Sequence, residues 1–145
     1  MSAQRRIVTV LFADVVGSTA LGEGLDPEDL GQLLSRYYAT AREVIEAYGG
    51  TVEKFIGDAV MAIFGVPQAH DDDAHRAIAA GIELRQRVHD DPRLGERLPI
   101  RIGINTGEVA IGGAEGQEGF VAGDAVNVAA RLQQQAEPWS VLVGD

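Results

Sequence analysis

Ile7-Val8-Thr9-Val10-Leu11-Phe12-Ala13-Asp14 and Val52-Glu53-Lys54-Phe55-Ile56-Gly57-Asp58-Ala59-Val60-Met61-Ala62-Ile63-Phe64 are the stretches that decide the fold. The first is a nearly unbroken apolar run closed by an aspartate, and it reads as a strand covered on at least one face. The second is a pair of apolar runs joined by Gly57-Asp58, a link short enough for a tight hairpin. Between them Leu30, Leu33, Leu34, Tyr37, Ala41, Val44, Ile45 and Tyr48 recur at helical spacing. A strand, a helix and a strand predict two parallel strands, adjacent or one strand apart. Asp14 and Asp58 then stand at the same end of one sheet.

Working outward, the first helix has Asp26 as an N-cap, Pro27 at its first position and Glu28-Asp29 against the positive helix end. Gly49-Gly50 ends it. A second helix opens near Asp71-Asp72-Asp73, shows an apolar face of Ala74, Ala77, Ile78, Gly81, Leu84 and Val88, and stops at Asp91-Pro92. Ile100 to Asn105 is a strand, Thr106-Gly107 a turn, and Val109 to Ile111 a further strand. Gly112 to Gly119 reads as a mobile Gly-rich loop. A last helix runs from about Asp124 to Ala136, and Val141-Leu142-Val143 starts another strand. The order β-α-β-β-α-β, then strand, helix and strand, is of the α+β class. Its simplest solution is one antiparallel sheet with the helices on one face.

The chain has 145 residues and a formal net charge of −10. The acidic balance disfavours a general nucleic-acid binder, which needs a basic face, but not a nucleotide whose charge a divalent ion neutralises. No apolar stretch approaches ~20 residues, so no membrane insertion is expected. The absence of cysteine excludes disulfides and thiol chemistry, and a cytoplasmic location is the default. Of the 12 basic residues a single one, Lys54, is lysine.

Paired carboxylates at a sheet end suit a divalent metal, because magnesium takes one or two carboxylates and leaves room for phosphate oxygens. Taken singly, Asp14 also fits a turn start and Asp58 a hairpin filler. Val16-Gly17-Ser18-Thr19 can hold phosphate on successive N–H groups, or serve as a capped strand-to-helix turn. Asn127 and Arg131 are four apart, so they share a helix face among small residues. Such a partly buried pair needs polar partners. A nucleotide sugar and phosphate would serve, and so would an internal carboxylate. His70-Asp71-Asp72-Asp73-Ala74-His75 reads as an acidic helix start, not a metal site.

Four motifs, in order, resemble class III nucleotidyl cyclase catalytic domains. They are Phe12 to Thr19, Lys54 to Ala59, Arg101 to Glu108, and Gly123 to Leu132. The resemblance spans about Ile7 to Val143. It implies a ferredoxin-like βαββαβ palm with an additional C-terminal strand-helix-strand, forming one cyclase homology domain over 1–145 that is expected to be trimmed at its C-terminal end. It implies conversion of ATP to 3′,5′-cyclic AMP and pyrophosphate, with two Mg2+ or Mn2+ ions per site. Asp14, Asp58 and the Val15 carbonyl resemble the metal ligands. Val16, Gly17, Ser18 and Thr19 would hold the triphosphate, Asn127 the ribose, and Arg131 the charge on the α-phosphate. Lys54 matches the purine-selecting lysine of adenylyl cyclases. Phe120, seven residues before Asn127, stands at the second purine-selecting position, where those enzymes usually carry Asp or Thr; a phenyl ring cannot make that hydrogen bond. The resemblance also implies a homodimer with two shared sites. The alternatives are relaxed ATP/GTP selectivity and a non-catalytic module that binds nucleotide or dimerises. A diguanylate cyclase would carry Gly-Gly-Asp/Glu-Glu-Phe at the hairpin, and Ile56-Gly57-Asp58-Ala59 does not.

Overall fold

The computed structural model describes residues 4–17, 23–56, 59–66, 69–95, 97–112 and 120–144. Their elements are β1 (Gln4–Val15), α1 (Pro27–Ala47), β2 (Thr51–Ile56), β3 (Ala59–Phe64), α2 (Asp73–Asp90), β4 (Ile100–Gly112), β5 (Phe120–Ala122), α3 (Asp124–Gln135) and β6 (Val141–Val143). The fold is α+β with the expected βαββαβ core. The strands run β2-β3-β1-β4-β5, and β6 joins β4 in parallel. β1 is antiparallel to β3 and to β4, and β2 is antiparallel to β3. β1 and β2 are therefore parallel with one strand between them, as the crossover predicts.

Side chains alternate across a strand, and β1 is apolar at both parities. Leu11, Ala13 and Val15 face α1 and α2, meeting Tyr37, Ala41, Val44 and Ile45 of the first and Ala77, Ala80 and Leu84 of the second. Val8, Val10 and Phe12 face the other way, with Met61, Ile63 and Val109, and meet Ala125 and Ala129 of α3. The expectation of helices on one face is thus corrected: α1 and α2 lie on one face and α3 on the other. Burying a Val or Phe side chain contributes about 1.5–3 kcal/mol, so a bare second face would forfeit several such terms.

β4 also departs from the sequence reading. Thr106-Gly107 is not a turn, and Val109 to Ile111 is not a separate strand. The strand is continuous because Thr106 and Gly107 pair with Thr9 and Val8 of β1, and the two threonine hydroxyls bond at 2.8 Å. The extra strand is β5, paired with the last residues of β4. The expected cap residue Asp26 makes no side-chain cap bond; its carbonyl accepts the Leu30 N–H at 3.0 Å. The loop expected to be mobile, from Gly112 to Gly119, falls outside the described residues after Gly112. Among the described residues no helix is long and apolar enough to cross a membrane.

Candidate active site

Asp14 is the next-to-last residue of β1 and is half-buried. Its cross-strand partners are Ala59 of β3 and Arg101 of β4. By parity it shares the α3 face with Val8, Val10 and Phe12. One carboxylate oxygen, Oδ1, accepts the Val15 N–H at 2.8 Å. The other, Oδ2, accepts a bond from Gln133 Nε2 of α3 at 3.4 Å. The chain leaves the sheet directly afterwards. Val16 N–H donates to the Pro99 carbonyl at 2.7 Å, and Gly17 takes φ 73°, a left-handed conformation that glycine adopts without steric cost.

Gly57, Asp58, Ser18 and Thr19 lie outside the described residues. The residues flanking the hairpin link are described: Ile56 pairs with Ala59, and Ala59 stands opposite Asp14. Among the described residues no three His, Cys, Asp or Glu side chains gather as a metal cluster.

α3 carries the other half of the constellation. Ala125, Ala129 and Gln133 form its buried stripe at four-residue intervals. Asn127 and Arg131 lie about 200° round the helix from that stripe. Both are exposed, which corrects the expected partly buried pair. The small residues around them belong to the inner face, and they let the helix sit close to the sheet while the polar pair looks outward. Arg131 Nη2 is 4.0 Å from Asp124 Oδ1, an exposed pair worth little in water. Lys54 is exposed on β2 and pairs with Met61, so it projects from the same sheet face as Asp14. Phe120 opens β5 opposite Gly112.

Two residues escaped the sequence reading. Arg101 stands directly opposite Asp14; its Nη1 donates to the Gln134 carbonyl at 2.8 Å, and its buried Nε has no partner among the described residues. Gln133 is one of few buried polar side chains among the described residues, at 4% exposure. Gln133 left a readable signal: a polar residue on a stripe otherwise made of alanine. The position of Arg101 follows only from the strand register.

The whole chain, residues 1–145, matches the family model of the adenylate and guanylate cyclase catalytic domain. This chain belongs to that family. Adenylate cyclase 1 of Rhizobium meliloti is 36% identical over 150 residues, which cover 98% of this cyclase domain and 23% of that protein. The domain spans about a quarter to a third of the curated relatives it matches. Among solved structures, the guanylyl cyclase Cya2 has 34% identity and a TM-score of 0.91, covering 99% of this cyclase domain and 77% of that chain. The adenylyl cyclase CyaB from P. aeruginosa has 36% identity and a TM-score of 0.89, covering 99% and 79%. Proteins named for either base stand at similar identity, so overall likeness does not choose the nucleotide.

Proposed function

We propose that this cyclase domain converts ATP to 3′,5′-cyclic AMP and pyrophosphate, with two Mg2+ or Mn2+ ions, in sites shared between two copies of the chain. The observation that carries the reading is the division of the constellation. Asp14 lies under the inner face of α3, whereas Asn127 and Arg131 project from its outer face. One chain cannot turn both sets onto one nucleotide; two copies of one chain can, in a symmetric pair.

The donor set suits a hard divalent ion, since the Asp14 carboxylate and the Val15 carbonyl are oxygen ligands and Asp58 would supply a second carboxylate. When bound, the metal pair makes the ribose 3′-hydroxyl more acidic and neutralises phosphate charge. The 3′-hydroxyl gives its proton to water, its oxygen bonds to the α-phosphorus, the bond from that phosphorus to the α–β bridging oxygen breaks, and pyrophosphate leaves. N–H groups from Val16 to Thr19 would hold the phosphates, with the Arg101 guanidinium as a nearby cation. Asn127 from the second copy would orient the ribose, and its Arg131 would offset charge building on the α-phosphate. Lys54 and the adenylate cyclases among the curated relatives support adenine. Phe120 offers no hydrogen-bonding group to the base, which favours some acceptance of GTP as the second reading. A cytoplasmic location fits an ATP-consuming chain without cysteine.

The test is cyclic nucleotide formation from ATP and from GTP, with Mg2+ and with Mn2+, using Asp14→Asn as the blank. Metal-dependent cyclic AMP, lost in the variant, is the expected result. A verified dimer that makes no product from either nucleotide would leave a binding or dimerisation module instead.

A further inference from the structure

We infer that Gln133 is a positioning residue that fixes the Asp14 carboxylate for its metal. The inference rests on Asp14 being a metal ligand, as proposed above. A carboxylate on a short side chain rotates about its last bond unless both oxygens are held. Here each oxygen is held by a different donor: Oδ1 by the Val15 N–H at 2.8 Å, and Oδ2 by Gln133 Nε2 at 3.4 Å. A carboxylate has about four acceptor positions, and donors on both of its oxygens set its plane. Partners of this kind, which orient a ligand and do not touch the metal, commonly matter as much as about 10–100-fold in metal affinity.

The burial of Gln133 makes a passive role hard to sustain. A carboxamide at 4% exposure costs free energy unless it is hydrogen-bonded, and methionine or leucine would fill the same space without that cost. Its place is set by packing. Gly103 of β4 lies directly under the Gln133 and Ala129 backbone, where no Cβ would fit, so α3 sits on the sheet at this point. The same helix therefore holds Asp14 of its own chain from the inner face and presents Asn127 and Arg131 outward. Disturbing α3 at Gln133 is expected to disturb metal binding in its own chain.

Gln133→Met keeps the volume and removes the donor; Gln133→Asn keeps the carboxamide but is one methylene too short. Mn2+ binding is read by the electron paramagnetic resonance of free Mn2+, with α,β-methylene-ATP present, beside thermal melting and dimer formation. Both variants should bind Mn2+ about 10-fold more weakly, with Gln133→Met melting and dimerising near wild type and Gln133→Asn melting lower because its buried carboxamide loses its partner. In turnover they should raise the metal concentration for half-maximal rate more than they lower kcat at saturating metal. Asp14→Asn separates the two readings. If it abolishes Mn2+ binding while both Gln133 variants bind as wild type does, the positioning role is overturned. If Asp14→Asn binds Mn2+ normally, the metal assignment itself fails.

Discussion

Gly103→Ala is the substitution that most directly tests how α3 is seated. A Cβ built on Gly103 would lie 2.9 Å from Gln133 Cα, and closer still to the Gln133 nitrogen and the Ala129 carbonyl oxygen. Non-bonded carbon atoms prefer about 3.5–4.0 Å, so the helix must retreat by roughly 1 Å. These are backbone atoms, and no rotamer change can relieve the clash. Overpacking of this kind costs about 1–3 kcal/mol. In a domain of this size each kcal/mol moves Tm by about 2–4 °C, so melting should fall by about 2–12 °C. The effect on turnover should be larger in proportion, because α3 carries Asn127, Arg131 and Gln133 together. A 1 Å displacement of positioning groups is worth about 100-fold in rate. The assay is a melting curve beside cyclic AMP formation, with Gly31→Ala as control. Gly31 lies in α1, where among the described residues nothing outside its own helical turn comes within 4 Å of an added Cβ, and alanine there should stabilise by about 0.5–1 kcal/mol. A Gly103→Ala chain with wild-type melting and wild-type turnover would refute the seating of α3 described above.

The proposed shared site predicts complementation: Asp14→Asn and Arg131→Ala chains, each inactive alone, should form heterodimers with one intact site. Random pairing at equal concentrations makes half the dimers mixed, so the mixture should recover about a quarter of wild-type turnover; a mixture that dimerises and stays inactive would remove the shared site. A pH effect is expected where Arg36 Nε donates to Asp91 Oδ2 at 2.7 Å, tying α1 to the end of α2. Burial pushes the Asp91 carboxyl up, but the Arg36 guanidinium and the Arg93 and Leu94 N–H groups together bring it below its ordinary value. A depressed carboxylate pKa gives stability that is present above the unfolded value near 4 and is lost as pH falls through the folded value. Melting curves on either side of pH 4 should therefore show a smaller acid-side loss for Asp91→Asn than for wild type, and identical profiles would contradict this linkage.

The sequence by itself determined the elements whose pattern is local. The period of α1 was legible in Leu33, Tyr37, Ala41 and Val44, and the βαββαβ order followed from the strand runs and their connecting lengths. The four motifs were contiguous stretches, so the family was legible too. Parity within β1 was also there to be read: apolar residues at both odd and even positions require cover on both faces, and α3 supplies the second. Only the tertiary structure decided what depends on register and on opposing surfaces. Thr106-Gly107 resembles a turn until Thr9 and Val8 are placed beside it. Arg101 gains its meaning by standing opposite Asp14, although 86 residues separate them in the sequence. Gln133 gains its role from the close approach that Gly103 allows. Local periodicity fixes which face of a helix is apolar, whereas the partner on that face is set by packing between segments far apart in the chain.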